Sequence, residues 1–158
     1  MMKFLMRINH STITMLKTIR LFCCLLIILI MPLSACANKQ EPQMTGTDGK
    51  QYALSDFVGQ GKWVVVNVWA TACPYCRSEL FDLNNFHEKH YLNDAMVLGL
   101  TLELSDFSLP DREYVAQFKD DHLMEYPVLL VDQALAEKVI GKPIEIIPLT
   151  FFYNPEGK

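Results

Sequence analysis

The stretch Trp63-Val-Val-Val-Asn-Val-Trp-Ala70 constrains the fold more than any other part of the sequence. It is a near-continuous apolar run bounded by Gly61 and Thr71, the pattern of a strand covered on both faces. A strand of that kind needs neighbours on either side and helices above and below. The downstream pattern supplies them. From Cys73 to about His90, apolar residues recur at Leu80, Leu83 and Phe86, and Pro74 sits where a first helical position tolerates proline, so this segment is predicted to be a helix. Met96 to Leu104 reads as a strand, Asp111 to Phe118 as a helix, Pro127 to Val131 as a strand, Ala134 to Ile140 as a helix, and Leu149 to Tyr153 as a strand. Upstream, an Asp48-Gly49 turn leads into a short strand at Gln51 to Leu54, with Ser55 placed to cap one helical turn. The alternation implies an α/β domain with right-handed crossovers and a parallel core sheet.

The first 35 residues stand apart. Lys3, Arg7, Lys17 and Arg20 precede an apolar run from Leu21 to Leu33, followed by Ser34, Ala35 and Cys36, the order of a bacterial export signal. A bilayer-crossing helix needs about 18 or more apolar residues, and this run is shorter and contains Pro32. The Leu-Ser-Ala-Cys string resembles a lipoprotein lipobox, which implies a signal peptide at 1–35, lipid on Cys36 and a location in the periplasm or cell envelope. Met15 is an alternative start, since the signal is already complete from there. Residues 36–47 are polar and aperiodic, as expected of a tether, and 48–158 form the domain.

Four of the 14 basic residues and none of the 18 acidic ones precede Cys36, which leaves 10 against 18, a net charge near −8. That balance argues against nucleic acid, whose backbone requires clustered Lys and Arg. Of the five cysteines, Cys23 and Cys24 fall in the signal and Cys36 in the lipobox, so the domain keeps Cys73 and Cys76. A bridge closing so small a loop constrains the unfolded chain little, which points away from a stabilising staple.

A thiol attacks as the thiolate, and a helix N-terminus favours that anion through its unpaired N–H groups and dipole. Cys73 is placed at such a terminus, with Cys76 one turn on, a spacing suited to thiol–disulfide exchange. Zinc is the competing use of the pair. His87 and His90 are too closely spaced for a usual zinc site. They also lie about 16 Å or more along the same helix, and are read as helix-surface residues near its C-terminal end. A periplasmic copper or zinc carrier with His122 as a distant ligand is a further alternative.

The strings Asn67-Val-Trp-Ala-Thr-Ala-Cys-Pro-Tyr-Cys76, Ser55 to Val66 before it and Ile147 to Lys158 after it resemble the thioredoxin superfamily, within it the membrane-anchored TlpA/ResA-like thiol:disulfide oxidoreductases. The resemblance implies a thioredoxin-like fold, a central mixed sheet flanked by helices. The chain stops where family members add a last strand and helix, so a C-terminally incomplete domain with an exposed Leu149–Tyr153 edge is the expectation. It implies Cys73 as attacking thiol, Cys76 as resolving thiol, and Pro148 as a cis-proline facing them, with an ordinary trans proline as the alternative. Trp69, Pro74, Tyr75 and Ile147 join Pro148 as candidates for the substrate side, Trp69 also as a packing residue beneath the site.

Two departures from the family pattern bear on mechanism. Asn67 stands where thioredoxins carry a buried aspartate and cannot move a proton, and Ala72 replaces an aromatic before the first cysteine. Glu79, three residues beyond Cys76 and so on the same helix face, is the candidate proton relay, or alternatively an exposed first-turn acid. The cysteine pair is itself the redox group and no other cofactor is expected. The implied partners are protein disulfides, such as those of apocytochromes, and a membrane electron donor of the DsbD type. Arg77 is the one nearby cation in sequence, and Ile147 before the proline resembles the reducing thioredoxins. If Cys36 carries the anchor, Cys36→Ser moves the protein from the membrane pellet to the soluble fraction; a variant that still pellets contradicts it.

Overall fold

The computed structural model describes residues 41–102 and 112–158; residues 1–40, with the expected signal and Cys36, and residues 103–111 lie outside them. The strands are β1 (Met44–Gly46), β2 (Gln51–Tyr52), β3 (Trp63–Trp69), β4 (Ala95–Leu102), β5 (Val128–Val131) and β6 (Leu149–Tyr153). The helices are α1 (Pro74–His90), α2 (Arg112–Asp121) and α3 (Gln133–Ile140), with a 3-10 turn at Leu54–Asp56. The six strands form one mixed sheet in the order β2-β1-β5-β4-β3-β6. Strands β3, β4 and β5 run parallel, while β6 runs antiparallel to β3 and β1 antiparallel to β5 and β2. Among the described residues no helix is long and apolar enough to cross a membrane.

Alternation along β3 builds two cores. Val64, Val66 and Val68 point to one face, where they join Leu98, Leu100, Leu129 and Ala136 of α3. Val65 and Trp69 point to the other, where they meet Cys76 and Leu80 of α1 and Val115 and Phe118 of α2. All residues of β3 after Trp63 are buried, as the apolar run requires.

The structure corrects the expectation at three places. β1 lies inside the stretch expected to be tether, because Met44 is buried in the core and Thr45 and Gly46 pair with Leu130 and Leu129. The short second strand ends at Tyr52, and the turn after it is capped by Asp56, whose carboxylate accepts the Ala53 N–H at 2.8 Å; Ser55 instead bonds Glu41. His87 is buried, at 4% exposure, and not on the helix surface.

The reason for the last lies in the sheet. β5 begins at Val128, opposite Gly99, so the Val97 amide two residues earlier has no strand carbonyl beside it. His87 Nδ1 accepts that N–H at 3.1 Å. The ring stacks on Tyr91 with centroids 4.8 Å apart. His90 does lie at the surface, paired with Asp94 at 2.9 Å.

Burial holds the His87 imidazole below its ordinary pKa, against a smaller opposing pull from Glu125. The neutral ring is also the form that accepts from Val97. Stability from this group is therefore full above the unfolded-state pKa of about 6.5 and is lost as pH falls below it toward the folded value. His87→Phe leaves the Val97 amide unpaired and should cost about 1–3 kcal/mol at pH 7. Urea unfolding at pH 7 and pH 5 should show a shallower pH dependence in the variant than in the parent; equal slopes contradict this account.

Candidate active site

The end of β3 delivers the chain to the start of α1. Cys73 is the residue that caps this helix: its backbone is extended, and its Sγ accepts the Cys76 N–H at 3.1 Å. Pro74 follows in the first turn, where its missing N–H costs nothing. Cys73 and Cys76 are joined in a disulfide with Cα atoms 5.3 Å apart. Cys73 is half-buried and Cys76 is 1% exposed, so an incoming sulfur reaches Cys73 first.

The Ile147–Pro148 peptide is cis. Leu149 pairs with Val68, which sets Pro148 level with Trp69, at the same end of the sheet as the disulfide. Ile147 is half-buried and packs on the apolar cluster that also receives Cys73. Tyr75 and Ile146 are 78% and 73% exposed and give this end of the molecule an apolar rim. Tyr75 thus stands on the surface with Pro74, as candidate substrate contacts should. Trp69 does not: it is fully buried, and its role is to pack beneath the site.

Beneath Cys76 the polar groups separate into two sets. Asn67 is buried and donates through Nδ2 to Thr150 Oγ1 at 3.1 Å, a cross-strand pair set by the β3–β6 register. Glu79 is half-buried and opens into a groove of about 380 Å3 together with Asp82, Leu83, Phe86, Val65, Thr150 and Phe152. That position lies one turn beyond Cys76 on α1. Arg77 leans over the Phe118 ring, 5.8 Å from its centroid. His122 stacks on the same Phe118 ring, with centroids 3.9 Å apart, and its Nδ1 bonds the Phe118 carbonyl oxygen at 2.8 Å. Among the described residues no three His, Cys, Asp or Glu side chains gather as a metal would need.

A disulfide capping the helix that follows a buried interior strand, with a cis-proline at the same sheet end, defines the thioredoxin-like class. The chain belongs to the AhpC/TSA family, whose sequence model matches residues 37–158. It is 27% identical over 124 residues to the thiol-disulfide oxidoreductase ResA of Bacillus thuringiensis (strain Al Hakam), covering 77% of this chain and 65% of that protein. It is 33% identical over 90 residues to the thiol:disulfide interchange protein DsbE of Pasteurella multocida, covering 55% of this chain and 44% of that protein. The chain therefore spans about two-thirds of the length of the first relative and less than half of the second.

Solved structures agree on the fold. A secreted thiol-disulfide isomerase of Corynebacterium glutamicum superimposes with a TM-score of 0.61 at 27% identity, over 74% of this chain and 70% of the other. The exposed lipoprotein thioredoxin of Streptococcus pneumoniae gives 0.57 at 26% identity, over 73% and 82%.

Sequence reasoning did not find Gly99, Tyr126 or Thr150 at this site. Only Gly99 carried a signal, as a glycine inside an apolar strand marks close approach of a neighbour. A Cβ there would lie 3.0 Å from Trp69 Nε1 and 3.2 Å from Tyr126 Cε2. Gly99→Val should therefore cost about 1–3 kcal/mol by overpacking and lower the denaturant midpoint; an unchanged midpoint would show that the layer beneath Trp69 is looser than described.

Proposed function

We propose that the chain is a thiol:disulfide oxidoreductase acting outside the cytoplasmic membrane, held there by lipid on Cys36 and reducing protein disulfides. The observation that carries this reading is the Cys73 sulfur at the head of α1, where the Cys76 amide already donates to it in the disulfide state. The same donor and the helix dipole favour a thiolate at Cys73 once the pair is reduced.

The proposed reaction is a two-step dithiol exchange. Cys73 thiolate attacks a partner disulfide, one S–S bond breaks, a mixed disulfide forms on Cys73, and the first partner thiolate leaves. Cys76 then loses its proton to Glu79 and attacks Cys73 Sγ. The Cys73–Cys76 bond re-forms, the second partner thiolate leaves, and two electrons have passed to the partner. The cis Ile147–Pro148 segment and the exposed Tyr75 seat the partner chain beside Cys73. A DsbD-type membrane donor would return the electrons, since the compartment is oxidising. The similarity to the thiol-disulfide oxidoreductase ResA and the thiol:disulfide interchange protein DsbE supports disulfide exchange, and the reducing direction rests on Ile147 before the proline.

Insulin reduction with dithiothreitol tests the reading: the parent accelerates precipitation and Cys73→Ser does not, while equal rates remove the redox function. Glu79→Gln should slow turnover on the order of 10²-fold, the lower end of general-base effects, with the loss concentrated in the resolving step. Equilibration with glutathione should give a reducing potential, and one as oxidising as that of a dedicated disulfide donor would reverse the direction.

A further inference from the structure

The N-terminal strand joins the sheet from the disulfide end. β1 runs antiparallel to β5, and Thr45, Leu130, Thr101 and Trp69 form one row across β1, β5, β4 and β3. Trp69 is the last residue of β3 before the disulfide helix. Residues that precede Thr45 therefore leave the sheet at the disulfide end, three strand spacings or about 14 Å to its side. That exit is fastened. Met44 is buried, and the Glu41 carboxylate accepts the Ser55 N–H at 3.1 Å and the Ser55 hydroxyl at 2.5 Å. Ser55 lies in the 3-10 turn after β2, which is antiparallel to β1 and so finishes at the same end.

Little chain separates Glu41 from the proposed anchor. Cys36 and Glu41 are five residues apart in sequence, which spans at most about 18 Å in any conformation. The domain is longer. α1 runs from the disulfide to the opposite end of the sheet through the 17 residues Pro74–His90, about 25 Å. The Trp63 N–H bonds the Asp94 carbonyl there, which sets the Tyr91–Asp94 turn beside the start of β3. For that opposite end to rest on lipid, Glu41 would have to stand about 25 Å above the surface, beyond its reach of about 18 Å.

Surface chemistry alone does not choose an orientation. Tyr75 and Ile146 are exposed at the disulfide end, and Trp63, Tyr91 and Leu92 at the other. Either set suits a lipid interface. Length decides between them.

We propose that the anchor holds the disulfide end of the domain toward the bilayer, so that the disulfides it reduces belong to membrane-bound proteins and lie close to the lipid surface; this rests on the reading of a lipid-anchored exchange enzyme. Confinement of both partners to one surface raises their effective concentration. A small apolar rim then suffices to seat the partner chain.

Energy transfer reads the orientation. The lipidated chain is placed in phosphatidylcholine vesicles that carry an acceptor dye on lipid headgroups. The donor dye is attached to Cys73 in a Cys76→Ser chain, or to the thiol introduced by Asn93→Cys in a chain that also carries Cys73→Ser and Cys76→Ser. Transfer from Cys73 should exceed transfer from position 93 roughly twofold, given a separation of about 25 Å along α1. Equal transfer, or more from position 93, overturns the proposal. Inserting about 20 Gly and Ser residues between Ala37 and Asn38 adds reach comparable to the length of the domain and should remove the difference. A difference that survives the insertion shows that the tether does not set the orientation, and also overturns it.

A second measurement reads the partner class. The reduced parent chain should release pyridine-2-thione from a pyridyl disulfide borne on a phosphatidylethanolamine headgroup of its own vesicle, closing the Cys73–Cys76 bond and leaving the lipid as a thiol. Release from soluble dipyridyl disulfide but not from the lipid overturns the proposal and leaves exchange standing. Release from neither removes exchange itself, and a chain that does not pellet with vesicles removes the anchor; the proposal falls with either.

Discussion

The first N–H groups of a helix have no partner within it, and at the head of α1 one of them, from Cys76, is taken by the Cys73 sulfur. Everything that distinguishes this site follows from holding that terminus in place. The helix cannot drift, because Cys76 and Leu80 are buried against Val65 and Trp69 on one face of β3. β3 cannot drift either, because Val64, Val66 and Val68 are buried on the opposite face. The fold thus converts burial on both faces of one strand into a fixed position for one sulfur atom.

Around that atom the surroundings are asymmetric. The side toward solvent is apolar and open, with Tyr75, Ile146 and the cis-proline segment as its rim. The side toward the core is closed, and its polar groups are few and specific: the Asn67–Thr150 pair and the carboxylate of Glu79 at the groove. An accessible first sulfur and an enclosed second one suit a reaction in which a partner is first captured and then released from within.

Much of this was legible because local pattern and tertiary role coincide. The apolar run of β3 and the proline after Cys73 each specify their structure within a few residues. The burial of His87 is present in the pattern but masked by its chemistry: Leu80, Leu83 and His87 lie at helical spacing on one stripe, while a polar ring points to the surface. β1 is only three residues long, with Thr45 and Gly46 in it, too short to show alternation. Thr150 could not be assigned to Asn67 because their contact depends on a strand register spanning 83 residues. Tyr126 reaches the layer beneath the site by the same kind of long-range packing. The proline opposite the cysteines came from family likeness alone; nothing in its immediate sequence announces the cis bond.

In the proposed exchange Cys73 captures the partner and Cys76 releases it. Trapping tests that division of labour most directly: each single Cys→Ser variant is reduced, mixed with a disulfide-bonded protein, quenched with acid and weighed by intact mass spectrometry. The Cys76→Ser chain should accumulate a mixed disulfide mapped to Cys73, and the Cys73→Ser chain should remain free. A complex that forms on Cys76 as readily as on Cys73 would contradict the account.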